Sequence, residues 1–208
     1  MRITQEEKEA IAEAIRRAEQ RTSGEIVFAI ADASGQYHHA TLQGALAGTI
    51  IAAAVYLALP AAHTIGLLLW TEIISFAFFY ALIPLLPFRR WFIPAREKEE
   101  GVREAAFREF YSNGLYQTRE ANGVVIYLSL LERGVVVLGD RGIHEKMGNP
   151  RWEEVRNAII RGIRQGRAKD GICQAVEICG RTLAEHFPRS PDDVDELSNH
   201  LIDRTKQR

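Results

Sequence analysis

The sequence predicts an α/β protein, an α/β/α sandwich around a small mixed sheet, interrupted by a two-helix transmembrane hairpin. Three observations carry that expectation. Val124-Val125-Ile126-Tyr127-Leu128 is an unbroken apolar run of β-branched and aromatic residues, the pattern of a strand covered on both faces. After the polar break Glu132-Arg133-Gly134 comes Val135-Val136-Val137-Leu138, so the two runs read as an antiparallel hairpin in which Gly134 supplies an unusual backbone angle. Far upstream, the stretches 42–59 and 65–88 carry one charge between them, Glu72, before Arg89 and Arg90.

The elements follow in order. The charged start Met1-Arg2-Ile3 predicts no secretory signal and opens a helix instead. Thr4 with Glu7 makes a capping box, and Ile11, Ala14, Ile15 and Ala18 share one face. Thr22-Ser23-Gly24 breaks that helix, and Glu25 to Ile30 reads as the first strand. The two apolar stretches then each approach the ~20 residues a helix needs to cross a bilayer. An ionised Glu72 at mid-membrane would cost roughly 3 kcal/mol, which the surrounding Leu, Ile and Phe residues outweigh at up to ~0.5 kcal/mol each.

Gly44, Gly48 and Ala52 form a small-residue stripe that lets two spans approach closely or serves self-association. Arg89, Arg90, Arg96 and Lys98 follow the second span, whereas the link at 60–64 has no Lys or Arg. By the positive-inside rule both chain ends face the cytoplasm, with Trp91 and Phe92 as interfacial anchors. The predicted divisions are 1–40, the first part of the domain, 41–88, the hairpin, and 89–208, the remainder.

Beyond Pro94 the pattern is helical, with Val102, Ala106 and Phe110 on a stripe that Phe107 widens, Gly114 as the terminating glycine, and Leu115 touching Phe110 in the Schellman arrangement. After the central hairpin, Asn149-Pro150 starts a helix burying Trp152, Val155, Ile159 and Ile163 and ending near Gly166. Asp170 caps another, with Ile172, Ala175, Val176, Cys179 and Leu183 on one face. Ser190-Pro191 opens a last amphipathic helix aligning Val194, Leu197 and Leu201.

A chain of 208 residues with 47% hydrophobic content can build a sizeable core. Its formal charge of -1 speaks against a nucleic-acid partner, which would favour a basic domain. Cys173 and Cys179, about 240° apart around one helix, read as reduced core thiols rather than a bridge. The chain has no P-loop, GxSxG, CxxC or HExxH, the common nucleotide, hydrolase and zinc signatures. His144-Glu145 reads as a surface pair, His186 as a helix-end residue, and Asp192, Asp193, Asp195 and Glu196 as charge complementing a helix dipole.

Several segments together resemble the TPM-domain family, named for a thylakoid lumen protein, a photosystem accessory protein and a nematode receptor modulator. They are Ser23-Gly24-Glu25-Ile26-Val27, Ala106-Phe107 with Gly114-Leu115-Tyr116 and Thr118, Asn122 to Ile126, and Val137 to Ile143. The tail His186-Phe187-Pro188-Arg189 with Pro191 to Val194 and Glu196-Leu197 is similar to a bacterial, membrane-embedded branch. The hairpin and its basic flank make this a membrane-anchored accessory or scaffold protein whose cytoplasmic domain binds a partner, unlike the many family members that resemble exported proteins with a signal peptide and one terminal anchor; the resemblance implies a LemA-like membrane protein as the candidate partner. The alternative it implies is a weak divalent-cation-dependent phosphatase.

Any ligand site is expected where loops converge at strand ends. Asp32 past the first strand, Asn122 before the central one and Asp140 in the turn Gly139-Asp140-Arg141-Gly142 are the candidates. If the first and third strands both run antiparallel to the central one, the three converge, and their oxygens would suit Ca²⁺ or Mg²⁺. On the other reading, Asn122 and Asp140 satisfy turn backbone groups.

Overall fold

The computed structural model describes residues 3–60, 64–85, 89–147, 149–190, 192, 196–197 and 201–205. The chain divides into one unit formed by Met1–Ser34 with Glu99–Arg208 and a second formed by Gly35–Lys98.

In the first unit, helix α1 (Gln5–Glu19) begins at the expected capping box: Glu7 N–H donates to Thr4 Oγ1 at 3.2 Å and Thr4 N–H to the Glu7 carboxylate at 2.8 Å. Its buried residues are Ile11, Ala14, Ile15 and Ala18. Strand β1 (Ile26–Ala31), strand β2 (Val124–Ser129) and strand β3 (Gly134–Gly139) join strand β4 (Leu201–Arg204) in a sheet whose order among the described residues is β3-β2-β1-β4. All residues of β1 and β2 are buried, because helices cover both faces of the sheet.

On one face, Ile26, Phe28, Ile30, Val124, Ile126 and Leu128 pack with α1 and with helices α6 (Asn149–Arg164) and α7 (Ala168–His186). On the other, Val27, Ala29, Val125 and Tyr127 meet Val102, Ala106 and Phe110 of helix α4 (Ala95–Ser112). Gly162 of α6 and Gly171 of α7 bring their helices together: a Cβ on Gly162 would lie 2.6 Å from Gly171 Cα. The architecture is the mixed-sheet α/β sandwich expected.

Strand direction, open in the sequence, is fixed here, and four local expectations change. Strand β1 runs parallel to β2, pairing Ile26 with Val124, so only β3 is antiparallel to the central strand. Leu201–Arg204 forms strand β4, parallel to β1, where the sequence predicts a helix through Leu201. Glu196 and Leu197 lie outside regular structure, and Val194 falls outside the described residues. The left-handed residue of the β2–β3 turn is Arg133, with φ 56°, and not Gly134. Gly134 is needed for space, since a Cβ there would come 2.9 Å from Val102 Cγ2. Arg141–Met147 forms a short helix, α5, and α7 starts at Ala168, leaving Asp170 in its first turn instead of at the cap.

The second unit contains helix α2 (His38–Ala58) and helix α3 (Ile65–Leu82), which continues into a 3₁₀ turn at Ile83–Leu85. Both are long and apolar enough to cross a membrane, by length and composition. No residue of α3 is buried, while α2 buries Ala40, Thr41, Gly44, Ala45, Gly48 and Thr49. Thr49 and Thr71 return their hydroxyls to the carbonyls of Ala45 and Leu67, which satisfies both donors within their own helices.

Candidate functional site

The parallel pairing of β1 with β2 decides which candidates meet. Asn122 stands before β2 and Asp140 just after antiparallel β3, so both flank the same end of the sheet. Asp32 follows β1 at the opposite end, about 20 Å away for a strand of this length. The three cannot share one cation, whose oxygen ligands stand at roughly 2.3–2.6 Å. Nor do the described residues bring together any group of three or more His, Cys, Asp or Glu side chains able to hold a metal. The donor set does not fit Ca²⁺ or Mg²⁺.

Asn122 and Asp140 instead organise their loops. The Asn122 amide donates to the Ser23 carbonyl at 2.7 Å, tying the turn before β2 to the turn before β1. Asn122 N–H donates to Thr118 Oγ1 at 3.1 Å, so this 3% exposed residue has backbone and amide partners. Asp140 N–H donates to the Gly123 carbonyl, and its carboxylate accepts from Arg141 N–H at 2.6 Å at the head of α5. Glu145 pairs with Arg141 at 2.9 Å, and His144 and Glu145 are both exposed.

The opposite end holds a polar cavity of about 380 Å³ where the parallel strands finish. Tyr127 OH lies 3.3 Å from Ser34 Oγ, and Ser34 N–H donates to Glu132 at 2.9 Å. The second Glu132 oxygen accepts from Ser129 Oγ. Burial pushes the Tyr127 phenol above its ordinary value, with the Ser34 hydrogen bond opposing it and the charges of Glu132 and Glu109 adding to it, so the hydroxyl stays protonated at neutral pH. Across the cavity Arg204 Nε donates to Glu109 at 3.1 Å, and Asn113 Nδ2 donates to the same carboxylate at 3.1 Å. Arg108 is exposed on the rim.

Guanidinium and hydroxyl groups on this rim can hydrogen-bond a polar or anionic group. The Ser34 hydroxyl shares a hydrogen bond with the Tyr127 phenol. Sequence reasoning missed Glu109 and Arg204. The available signal was an acidic residue on the buried face of α4, which a core tolerates only when paired.

Residues 86–182 match the family model described as the TPM domain. None of the curated proteins compared with the chain matches it. The chain is similar to the BA42 protein of the psychrophilic bacterium Bizionia argentinensis, solved by NMR, at 25% identity and a TM-score of 0.60, over 98% of this chain and 96% of that one. The match begins after the apolar hairpin, while β1, which precedes the hairpin, pairs with both β2 and β4 in the same sheet. With its sheet and helices assembled from both sides of that insertion, the chain carries a match to the TPM domain over residues 86–182 and is similar in fold to BA42 over nearly its whole length.

Proposed function

We propose that the chain is a membrane-anchored accessory or scaffold protein: α2 and α3 span the inner membrane as a hairpin, and the TPM domain faces the cytoplasm and binds a partner there. The observation that carries this reading is the surface of α3. Ile65, Leu67, Leu69, Trp70, Ile73, Ile74 and Phe78 each keep more than half their area exposed. At about 1.5–3 kcal/mol for burying each such side chain, leaving them in water forgoes on the order of 10 kcal/mol, as much as a whole domain's stability. A bilayer supplies the missing burial.

Orientation is supported by the basic residues at Arg89, Arg90, Arg96 and Lys98 and by Trp91, 77% exposed beside them. A LemA-like membrane protein is the candidate partner. Alkaline extraction of isolated membranes tests the anchoring: the chain stays in the pellet until detergent is added, and release into the carbonate wash would refute it.

A further inference from the structure

Strand β3 is the outer strand of the sheet, and among the described residues nothing pairs with its far edge. Asp140 N–H bonds to Gly123, so alternation directs the backbone groups of Val136 and Leu138 toward β2 and those of Val135, Val137 and Gly139 outward. This edge lies in a groove of about 770 Å³, between Phe107 and Tyr111 of α4 on one side and Trp152 of α6 on the other. A second hollow of about 490 Å³ shares Val135 and continues along Ile160 and Ile163.

The groove is charged unevenly. Arg103 and Arg156 line the first hollow, Arg133 and Arg164 the second, and all four are exposed. Among the described residues none of them pairs with a carboxylate; Arg103 rests its guanidinium on the Phe107 ring at 5.7 Å. Of the acids lining the groove, Asp140 caps α5 and Glu145 is neutralised by Arg141, while Glu153 stands beside Trp152 toward the Gly139 end. The Gly134 end is therefore cationic.

We propose that an extended, acidic segment of a partner protein docks along β3 as an added strand. Its backbone bonds to Val135, Val137 and Gly139, its alternate side chains meet Phe107 and Tyr111 on one face and Trp152 on the other, and its carboxylates meet the arginines. Charges that guard an edge against association sit on the strand itself, whereas Gly134–Gly139 carries none.

This inference names the partner class within the accessory reading and rests on it. Membrane attachment is tested separately, so the two can fail independently. The test uses the full chain in detergent micelles, with a fluorescein-labelled peptide of alternating valine and glutamate matched in length to β3, and its valine–lysine twin. The glutamate peptide binds at least about tenfold more tightly than the twin, and hydrogen exchange by NMR slows at the Val135, Val137 and Gly139 amides. Val137→Pro removes an outward donor without touching the β2 ladder and abolishes binding. Arg156→Glu, an exposed change that leaves folding intact, removes most of the preference for glutamate. Equal affinity for the two peptides, binding of neither, or protection confined to amides outside β3 would overturn the proposal.

Discussion

Gly48 of α2 lies against the ring of Phe79 in α3, so close that a Cβ on Gly48 would fall 2.5 Å from Phe79 Cγ and Cδ2. One turn earlier, Gly44 meets Ile83 in the same way, with a Cβ there 3.0 Å from Ile83 Cδ1. The small-residue stripe is thus used inside the hairpin, where it lets the two apolar helices approach without a polar seam.

Gly48→Ala should therefore force the helices apart and cost about 1–3 kcal/mol. Gly66→Ala, at a position with nothing within 4 Å, should be neutral or slightly stabilising. Thermal unfolding in detergent, followed by circular dichroism, compares the two. Equal effects would mean that the α2–α3 contact is not made as described.

The Glu109 side chain is 11% exposed and relies on Arg204 at 3.1 Å and on Asn113. Arg204→Ala should cost about 1–3 kcal/mol, since it leaves a mostly buried carboxylate with one fewer charged donor and loosens β4. A double-mutant cycle with Glu109→Gln in denaturant should give a coupling of about 1 kcal/mol. Zero coupling would make the pair incidental.

Burial alone would raise the Asp203 carboxyl, but hydrogen bonds from Lys8 and Thr205 prevail and hold it below its ordinary value near 3.8. Lys8 Nζ stands 2.5 Å from it. A depressed folded-state value means that the stabilisation is fully present above the unfolded value and is lost as pH falls through the folded one. The stability difference between the native chain and Asp203→Asn should stay constant from about pH 8 to about pH 5 and shrink below about 4. A difference that vanishes between pH 8 and pH 5 would contradict the assignment.

Legibility followed how local the interaction was. The Thr4–Glu7 box and the face of Ile11, Ala14, Ile15 and Ala18 depend on spacing within one helix, and the structure reproduces them residue for residue. Phe107 shows the limit of such spacing: it continues the α4 stripe in sequence yet is 39% exposed, because β3 ends the sheet beneath it. Leu201-Ile202-Asp203-Arg204 is too short and too polar to announce a strand, and only pairing with β1 across the whole chain makes it one. Gly134 looked like a positive-φ residue because that is glycine's commonest use, whereas the approach of Val102, unseen in sequence, is what requires it. The split of Asp32 from Asn122 and Asp140 has the same origin, since the direction of β1 depends on a connection that runs through the hairpin.

The proposal that α2 and α3 form a membrane hairpin with the TPM domain on the cytoplasmic side is tested most directly by cysteine accessibility in intact cells. The native thiols give a quiet background: burial pushes Cys179 up to about 12, and Cys173, half-buried, is likewise raised by burial, with nearby Lys169 opposing it. A membrane-impermeant maleimide added outside should label Pro60→Cys, between the two helices, and should label Glu154→Cys on exposed α6 only after the membrane is permeabilised. Labelling of Glu154→Cys in intact cells, with Pro60→Cys protected, would contradict the account.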